Sequence, residues 1–458
     1  MNIYIELEVT NREFESRLLL AFEAAYRNFN VYIAYRKDIQ DAALNSKISP
    51  GIIHMKDANG TSDQIQIYDK LKKLGFKITA QDEEGGFVYD NYSVFADGRM
   101  TDGLSFRFID YLFCWSKREK DYLFEKYKNL NTKFLETGSP RFDLNKKKFV
   151  KEYKNDFYQK YNIQKKFILI SGLSFPLSLR RFADRIVIDS LMVKKEDRDA
   201  QENKAYLGEA ESILSTRAFI SLIRFLSKNL DDYDIVLRPH PGTLKGDWEK
   251  IIGKDTNVKI ISDGNISDFI INSELLIQKN CSSAFEATIL GKKVITFFPN
   301  LLIKDNEKLY DFLNNLGVIA SSKEKVLELI KDISNFEYPN INKNEINNRI
   351  SFLFDDSLSF LKIVNCWEKI RNSFDSNKNI KGFTRRYHQY YKLKIKKLIK
   401  KIFFQPQTNV NVHDNKLKNF NYKTLEENKK KFIKNYNLKY IDALKVDIIE
   451  DKILKVSK

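Results

Sequence analysis

Three short stretches of this chain carry side chains that can hold a phosphate and move a proton. Arg238-Pro239-His240-Pro241-Gly242 follows the apolar run Ile235-Val236-Leu237. A strand that ends on Arg and His and is stopped by prolines puts two phosphate-binding side chains at a carboxyl edge. Ligands of open α/β sheets bind outside such edges. Ser282-Ser283 lies between Leu275-Leu276-Ile277 and a helical pattern over 284–290. Hydroxyls and free N–H groups at a helix start favour anions. Asp82-Glu83-Glu84-Gly85-Gly86 follows the run 76–80. A carboxylate there can take a proton from an acceptor hydroxyl while the basic stretch stabilises a departing phosphate. Group transfer from an activated nucleotide needs that division of charge.

Each stretch also has a plainer reading. Acids beside Gly are commonly solvated turns. A lone His is commonly structural, but one flanked by prolines suits neither a helix nor a central strand. Ser282-Ser283 could simply cap a helix. Asn11 and Arg12 stand where the first strand enters its helix: Arg12 could meet a substrate carboxylate, and Asn11 could face the site or cap the helix. Ser171 and Gly172, after the first strand of the second half, could approach the nucleotide or merely turn the chain. Glu286 could reach a ribose or sit in solvent.

The elements that must position these residues alternate. Strand patterns at 2–9, 30–35, 51–55, 76–80, 111–115 and 133–137 are interleaved with helical ones, and a second series begins at 167–171. Strands alternating with helices predict parallel sheets covered on both faces. The expected fold is α/β, with two doubly wound Rossmann-like domains and a basic helical extension. The expected divisions are 1–150 (acceptor and catalytic acids), 160–340 (nucleotide), 341–375 (helices returning toward the first domain) and 376–458 (basic amphipathic tail). The segment 347–372 reads as amphipathic helix.

At 458 residues the chain exceeds one ordinary core. Its 43% hydrophobic content, with 34 Phe and 23 Tyr, argues against disorder. Cys114, Cys281 and Cys366 show neither metal spacing nor an even count, which fits a reducing cytoplasm. Neither a metal nor a cofactor is expected. Glu6, Glu8, Glu13 and Glu15 do not suit a signal peptide, and no apolar run of about 18 residues occurs. The net charge is +17, and between Lys381 and Lys401 nine Lys or Arg stand without an acid. Within 383–404, Tyr391, Ile395, Leu398, Ile399, Ile402 and Phe403 keep helical spacing among lysines, the pattern of a helix on an anionic membrane surface. The alternative is a helix docked on the protein with a solvated lysine face. Nucleic acid is not expected as a partner, because the tail lacks a base-reading or stacking context.

An acid-acid-Gly motif, then an HP motif, then a Ser pair, in that order, resembles bacterial glycosyltransferases of GT-B fold that use CMP-activated ulosonic acids, the sialyltransferase and Kdo transferase type. The stretches Glu6-Leu7-Glu8-Val9-Thr10-Asn11-Arg12-Glu13 and Thr137-Gly138-Ser139-Pro140-Arg141-Phe142-Asp143 are similar to those of bacterial surface carbohydrate biosynthesis proteins. The resemblance covers about 1–370. It implies that one carboxylate of Asp82, Glu83 and Glu84 is the base of an inverting reaction or the nucleophile of a retaining one. It implies that His240 and the serines Ser282 and Ser283 bind the CMP phosphate; Arg238, Pro241 and Ser171 join them by position. The expected partners are a CMP-sugar donor, a lipid-linked or surface glycan acceptor, and an anionic membrane surface at the inner face of the cytoplasmic membrane. Two other readings compete: a CDP-glycerol or CDP-ribitol phosphotransferase of wall-polymer synthesis, and a non-catalytic nucleotide- or carbohydrate-binding protein.

Overall fold

The computed structural model describes residues 1–86, 91–146, 154–173, 198–240, 243, 245–252, 257–299, 311–335, 343–353, 356–374, 421–449 and 453–458. Two compact units divide them. One holds the described residues up to Lys146 and those from 343 onward; the other holds those between 154 and 335.

The first unit is built on an eight-stranded sheet. Its parallel part is β1 (Asn2–Leu7), β2 (Asn30–Tyr35), β3 (Ile52–Met55), β4 (Lys77–Ala80), β5 (Tyr111–Cys114) and β6 (Lys133–Glu136), in the order β2-β1-β3-β4-β5-β6. The order reverses at β1: β2 lies on one side of it and β3 on the other. Helix α1 (Thr10–Tyr26) leaves β1 at this point. Its apolar residues Phe14, Leu18, Leu19, Leu20, Phe22 and Ala25 are buried on more than one side, as expected of a helix enclosed by other elements. The polar side chains it buries, Glu13 and Arg17 among them, therefore need partners.

The second unit has a six-stranded parallel sheet: β7 (Lys166–Leu173), β8 (Tyr233–Pro239), β9 (Val258–Ile260), β10 (Leu275–Gln278), β11 (Lys293–Phe297) and β12 (Val318–Ala320). Its order is β12-β11-β10-β7-β8-β9. The central strands are continuous apolar runs, because parallel strands are covered on both faces. The chain runs outward from β7 through β8 and β9, then returns to β10 on the other side of β7. The crevice between the carboxyl ends of β7 and β10 is thus the switch point where doubly wound sheets receive ligands. The expected pair of doubly wound sheets is the observed fold.

Two features differ from expectation. The stretch 347–372 is two helices, Lys343–Ile350 and Ser359–Asn372, with a 3-10 turn at Ser351–Leu353. Side chains from the turn after β6 start the second helix. Asp143 accepts from Ser359 Oγ (3.1 Å) and Phe360 N (3.0 Å), and Lys146 Nζ donates to Ser357 O (2.5 Å). The chain end supplies the helix Tyr422–Tyr436, as a helical extension requires, and then the hairpin β13 (Lys445–Ile449) and β14 (Ile453–Ser457). Strand β14 pairs antiparallel with β2, Leu454 opposite Ile33 and Val456 opposite Val31. Leu454 and Val456 enter the core of the first unit while Ile453, Lys455 and Ser457 stay half-buried, the period-two pattern of an edge pair. The amphipathic stretch 383–404 lies outside the described residues.

Candidate functional site

In the first unit, the site grows from the switch point between β1 and β3. No side chain caps α1 at Val9. Instead Glu13 Oε2 turns back and accepts from the N–H groups of Glu8 (2.9 Å) and Val9 (3.2 Å). Arg12 donates to Glu13 Oε1 at 2.7 Å. Burial works against the charge of Glu13, yet Arg12, Arg17 and Lys56 hold its carboxyl below the usual range. Burial likewise opposes the Arg12 charge, and Glu13, Glu84 and Glu83 outweigh it to keep the guanidinium protonated. Asn11 is the second residue of α1 and so does not cap it.

At the end of β3, Lys56 pairs with Glu8 and, at 3.4 Å, with Asp57. Asp57 in turn takes Arg36 at 2.9 Å. Glu6 is fully buried and accepts from Gln40 Nε2 (2.8 Å) and Lys56 N (3.2 Å). Burial pushes its carboxyl up despite Arg36 at 3.5 Å. This ion network at the carboxyl edge was not foreseen. Its signal is Glu6, an acid that no strand buried on both faces carries without partners, followed by Glu8 just past the end of β1.

The loop after β4 places three acids in three environments. Glu83 N donates to Lys56 O (3.0 Å), which fixes the loop to β3. Asp82 is buried and its Oδ1 accepts from Glu84 N at 2.9 Å. Glu83 is buried against Arg17, with Oε1 2.8 Å from the guanidinium. Burial raises the Glu83 carboxyl above its ordinary range, with Arg17 opposing. Glu84 is 46% exposed at its side chain and stands 3.8 Å from Arg12. The doubled glycine has a steric cause. Gly85 has φ +48°, and a Cβ there would fall 2.7 Å from the Trp115 ring; one on Gly86 would fall 2.2 Å from the Tyr92 ring.

In the second unit, the expected residues gather at the carboxyl ends of β7, β8 and β10. Ser171 is buried and pairs in register with Arg238. Gly172 has φ +89°, and a Cβ there would meet the Cys281 side chain at 2.5 Å. This close approach joins the end of β7 to the loop carrying the serines. Ser282 begins the helix Ser283–Ile289 but makes no side-chain cap, while Ser283 is buried and donates to Cys281 Sγ at 3.0 Å. The loop is held from below. Gln278 Oε1 accepts from Cys281 N (2.9 Å), and Asn314 exchanges two bonds with Asn280, whose φ is +52°.

Arg238 departs from expectation. Its guanidinium donates to the carbonyls of Asp263 and Gly264 (2.7 Å to the latter) and lies 4.2 Å over the Phe269 ring. Burial lowers it to about 10. It is a strut for the loop after β9, not a phosphate-binding side chain on the surface. The plane of the Phe269 ring and two fixed carbonyls suit guanidinium better than any other side chain. His240 is exposed just past β8. Its carbonyl accepts from Thr243 N (2.9 Å) and Oγ1 (2.8 Å), and buried Trp248 donates to that hydroxyl (3.3 Å), which fixes the His240 backbone. Pro241 lies outside the described residues. Glu286 is buried and accepts from Ser267 Oγ at 2.7 Å, so it is not a solvated acid.

Among the described residues, no group of three or more His, Cys, Asp or Glu is placed to hold a metal ion, and no helix is long and apolar enough to cross a membrane.

No family model matches the chain, and no curated protein matches it in sequence. Solved structures do match in fold. A histidine-to-asparagine variant of the wall teichoic acid polymerase TagF superposes with TM-score 0.50 at 14% identity, covering 81% of this chain and 89% of that one. The fold is of the GT-B type. A histidine-to-alanine variant of TagF gives TM-score 0.50 at 14% identity over 82% of this chain and 90% of that one. S. aureus MnaA with UDP gives TM-score 0.46 at 15% identity over 82% and 98%.

Proposed function

We propose that the chain is a group transferase that takes its donor from a cytidine nucleotide and its acceptor from a bacterial surface glycan. The observation that carries this reading is the crevice between β7 and β10. There the close approach of Gly172 to Cys281 joins the ends of β7 and β10, which carry Ser171 and Ser282, and the neighbouring β8 ends at the exposed His240. Hydroxyls, N–H groups and an imidazole at a switch point are suited to a nucleotide phosphate.

The first unit carries its own acid loop after β4. Glu84 is the exposed carboxylate of its loop, and it is our candidate for the base that takes the acceptor proton. Glu83, locked to Arg17, positions the loop. In glycosyl transfer from a CMP-ulosonic acid, the bond from the anomeric carbon to phosphate oxygen breaks and CMP leaves with the electron pair. The acceptor oxygen bonds to that carbon and its proton passes to a carboxylate base. His240 and the serines stabilise the phosphate as its charge develops. A monophosphate leaving group develops less charge than a diphosphate, so this reading requires no metal.

A second reading has a specific support. TagF, whose fold this chain shares, is a wall teichoic acid polymerase. In a phosphotransferase of that kind the acceptor oxygen attacks phosphorus, the bond between the two phosphates breaks, and CMP again leaves. Release of CMP is therefore common to both, and the mass of the product separates them. The test incubates the protein and a surface-glycan extract with a CMP-ulosonic acid or with CDP-glycerol. A mass gain of one ulosonic acid residue with CMP release supports the first reading, and a gain of one glycerol phosphate supports the second. No CMP from either donor overturns the transferase proposal.

A further inference from the structure

Arg238 is occupied by the backbone carbonyls of Asp263 and Gly264. We propose that Lys279 is the cation that receives the donor phosphate, by exchanging its present partner, Glu211, for the incoming anion. The inference rests on the reading of the β7–β10 crevice as a nucleotide-phosphate site and names the charge that the site uses.

Lys279 is the first residue after β10, at the switch point itself. Its carbonyl oxygen lies 3.6 Å from where a Cβ on Gly172 would stand, so its backbone forms the wall opposite the end of β7. The side chain is nearly buried. Its ammonium is 2.9 Å from Glu211 Oε1 on the helix Arg198–Asn229 and 4.6 Å from the centre of the Phe298 ring, just past β11. The same loop is braced by Gln278 and by the Asn280–Asn314 pair, which fixes where the ammonium leaves the backbone.

A buried ion pair roughly breaks even against an apolar pair of the same shape, so stability alone does not account for this one. Among the described residues, Arg238 and Lys279 differ in what holds them. Arg238 is bound by two neutral carbonyls that belong to a fixed loop. Lys279 is bound by one carboxylate on the end of a side chain. The departing CMP is a phosphate monoester and gains up to about two negative charges against one for Glu211, so it competes for the ammonium as the bond breaks, where a neutral ligand would not. A lysine is a compact point charge on a flexible stem, which suits partner exchange.

The test measures binding of CMP, inorganic pyrophosphate and cytidine by calorimetry. It uses the full chain and the variants Glu211→Gln and Lys279→Met/Glu211→Gln. The double variant removes both charges together, so no unpaired buried charge threatens folding, and its melting temperature is checked against the parent. Glu211→Gln is expected to tighten CMP and pyrophosphate several-fold by freeing the ammonium. The double variant is expected to weaken both at least tenfold and to leave cytidine unchanged. Parent-like CMP and pyrophosphate binding by the double variant overturns the role of Lys279 while the cytidine-nucleotide reading stands. Pyrophosphate binding that depends on Lys279, with no CMP binding by the parent, supports the phosphate cation and overturns the nucleotide. A parent that binds neither overturns both.

Discussion

The acid loop places three adjacent carboxylates in three different surroundings. The register of an acid-acid-Gly motif in Asp82-Glu83-Glu84-Gly85 is undetermined by residue type alone, because all three side chains are acids. Exposure separates them: Asp82 and Glu83 are buried, and Glu84 faces solvent. Replacing Glu84 by Gln is expected to leave the melting temperature within about 2–3 °C of the parent, as for a surface change of under about 0.5 kcal/mol, and to abolish turnover. Arg17→Met has the opposite profile. It leaves Glu83 charged and unpaired in the interior, a loss of about 3–5 kcal/mol. Glu83→Gln added to Arg17→Met is expected to recover most of that loss. Denaturant titration of the three variants reads this directly, and additive losses would mean that the pair is not coupled. Arg17 was invisible to motif reading because α1 buries it among leucines, at a position where spacing predicts only core. The signal was the charge itself in an otherwise apolar helix.

At the scale of elements, the Thr137-to-Asp143 motif turns out to be a clasp. Gly138 has φ +77°, and a Cβ there would fall 2.5 Å from Ser359 Oγ and 2.6 Å from the Phe352 ring. Asp143 holds the first N–H groups of the Ser359–Asn372 helix. Burial pushes its carboxyl from 3.8 up to about 6, against the bonds from Ser359 and Phe360 and the charge of Lys146. The folded protein therefore binds the Asp143 proton more tightly than the unfolded chain does. Stability from this group is complete below about pH 4 and is lost as pH rises through about 6, a change of about 2–3 kcal/mol. Asp143→Asn is expected to remove that slope from the stability–pH curve between pH 4 and 6, and an unchanged slope would assign it to other groups. Most strands and α1 were legible because buried parallel strands and enclosed helices leave unbroken apolar patterns. The β13–β14 hairpin was not, since its two strands are short, half-exposed and interrupted by Lys and Asp. What makes them strands is the open edge of β2, a long-range partner that no local pattern contains.

At the scale of the whole molecule, the hairpin changes the meaning of the basic segment. Residues 383–404 run between the Ser359–Asn372 helix and the Tyr422–Tyr436 helix, both of which share the core of the first unit. Removing 376–458 would strip β14 from β2 and expose a sheet edge, so loss of liposome binding in that deletion would not isolate the basic stretch. Replacing 383–404 with a Gly/Ser linker of equal length is the informative variant. It is expected to retain the parent melting temperature and to lose partition onto anionic liposomes, whereas unchanged partition would place membrane contact elsewhere or remove it. The candidate site was legible in part for a similar reason of scale. His240 and the serines stand at strand ends that apolar runs announce, while the use of Arg238 depends on the loop after β9, which folds over it from outside its own strand. The second unit is proposed to hold a cytidine nucleotide by its phosphate. A thermal-shift panel of CMP, CDP, UMP, UDP and GDP tests it most directly, because a ligand that binds only the native state raises apparent stability. CMP and CDP are expected to raise the melting temperature. Stabilisation by UDP or GDP with none by CMP would contradict this.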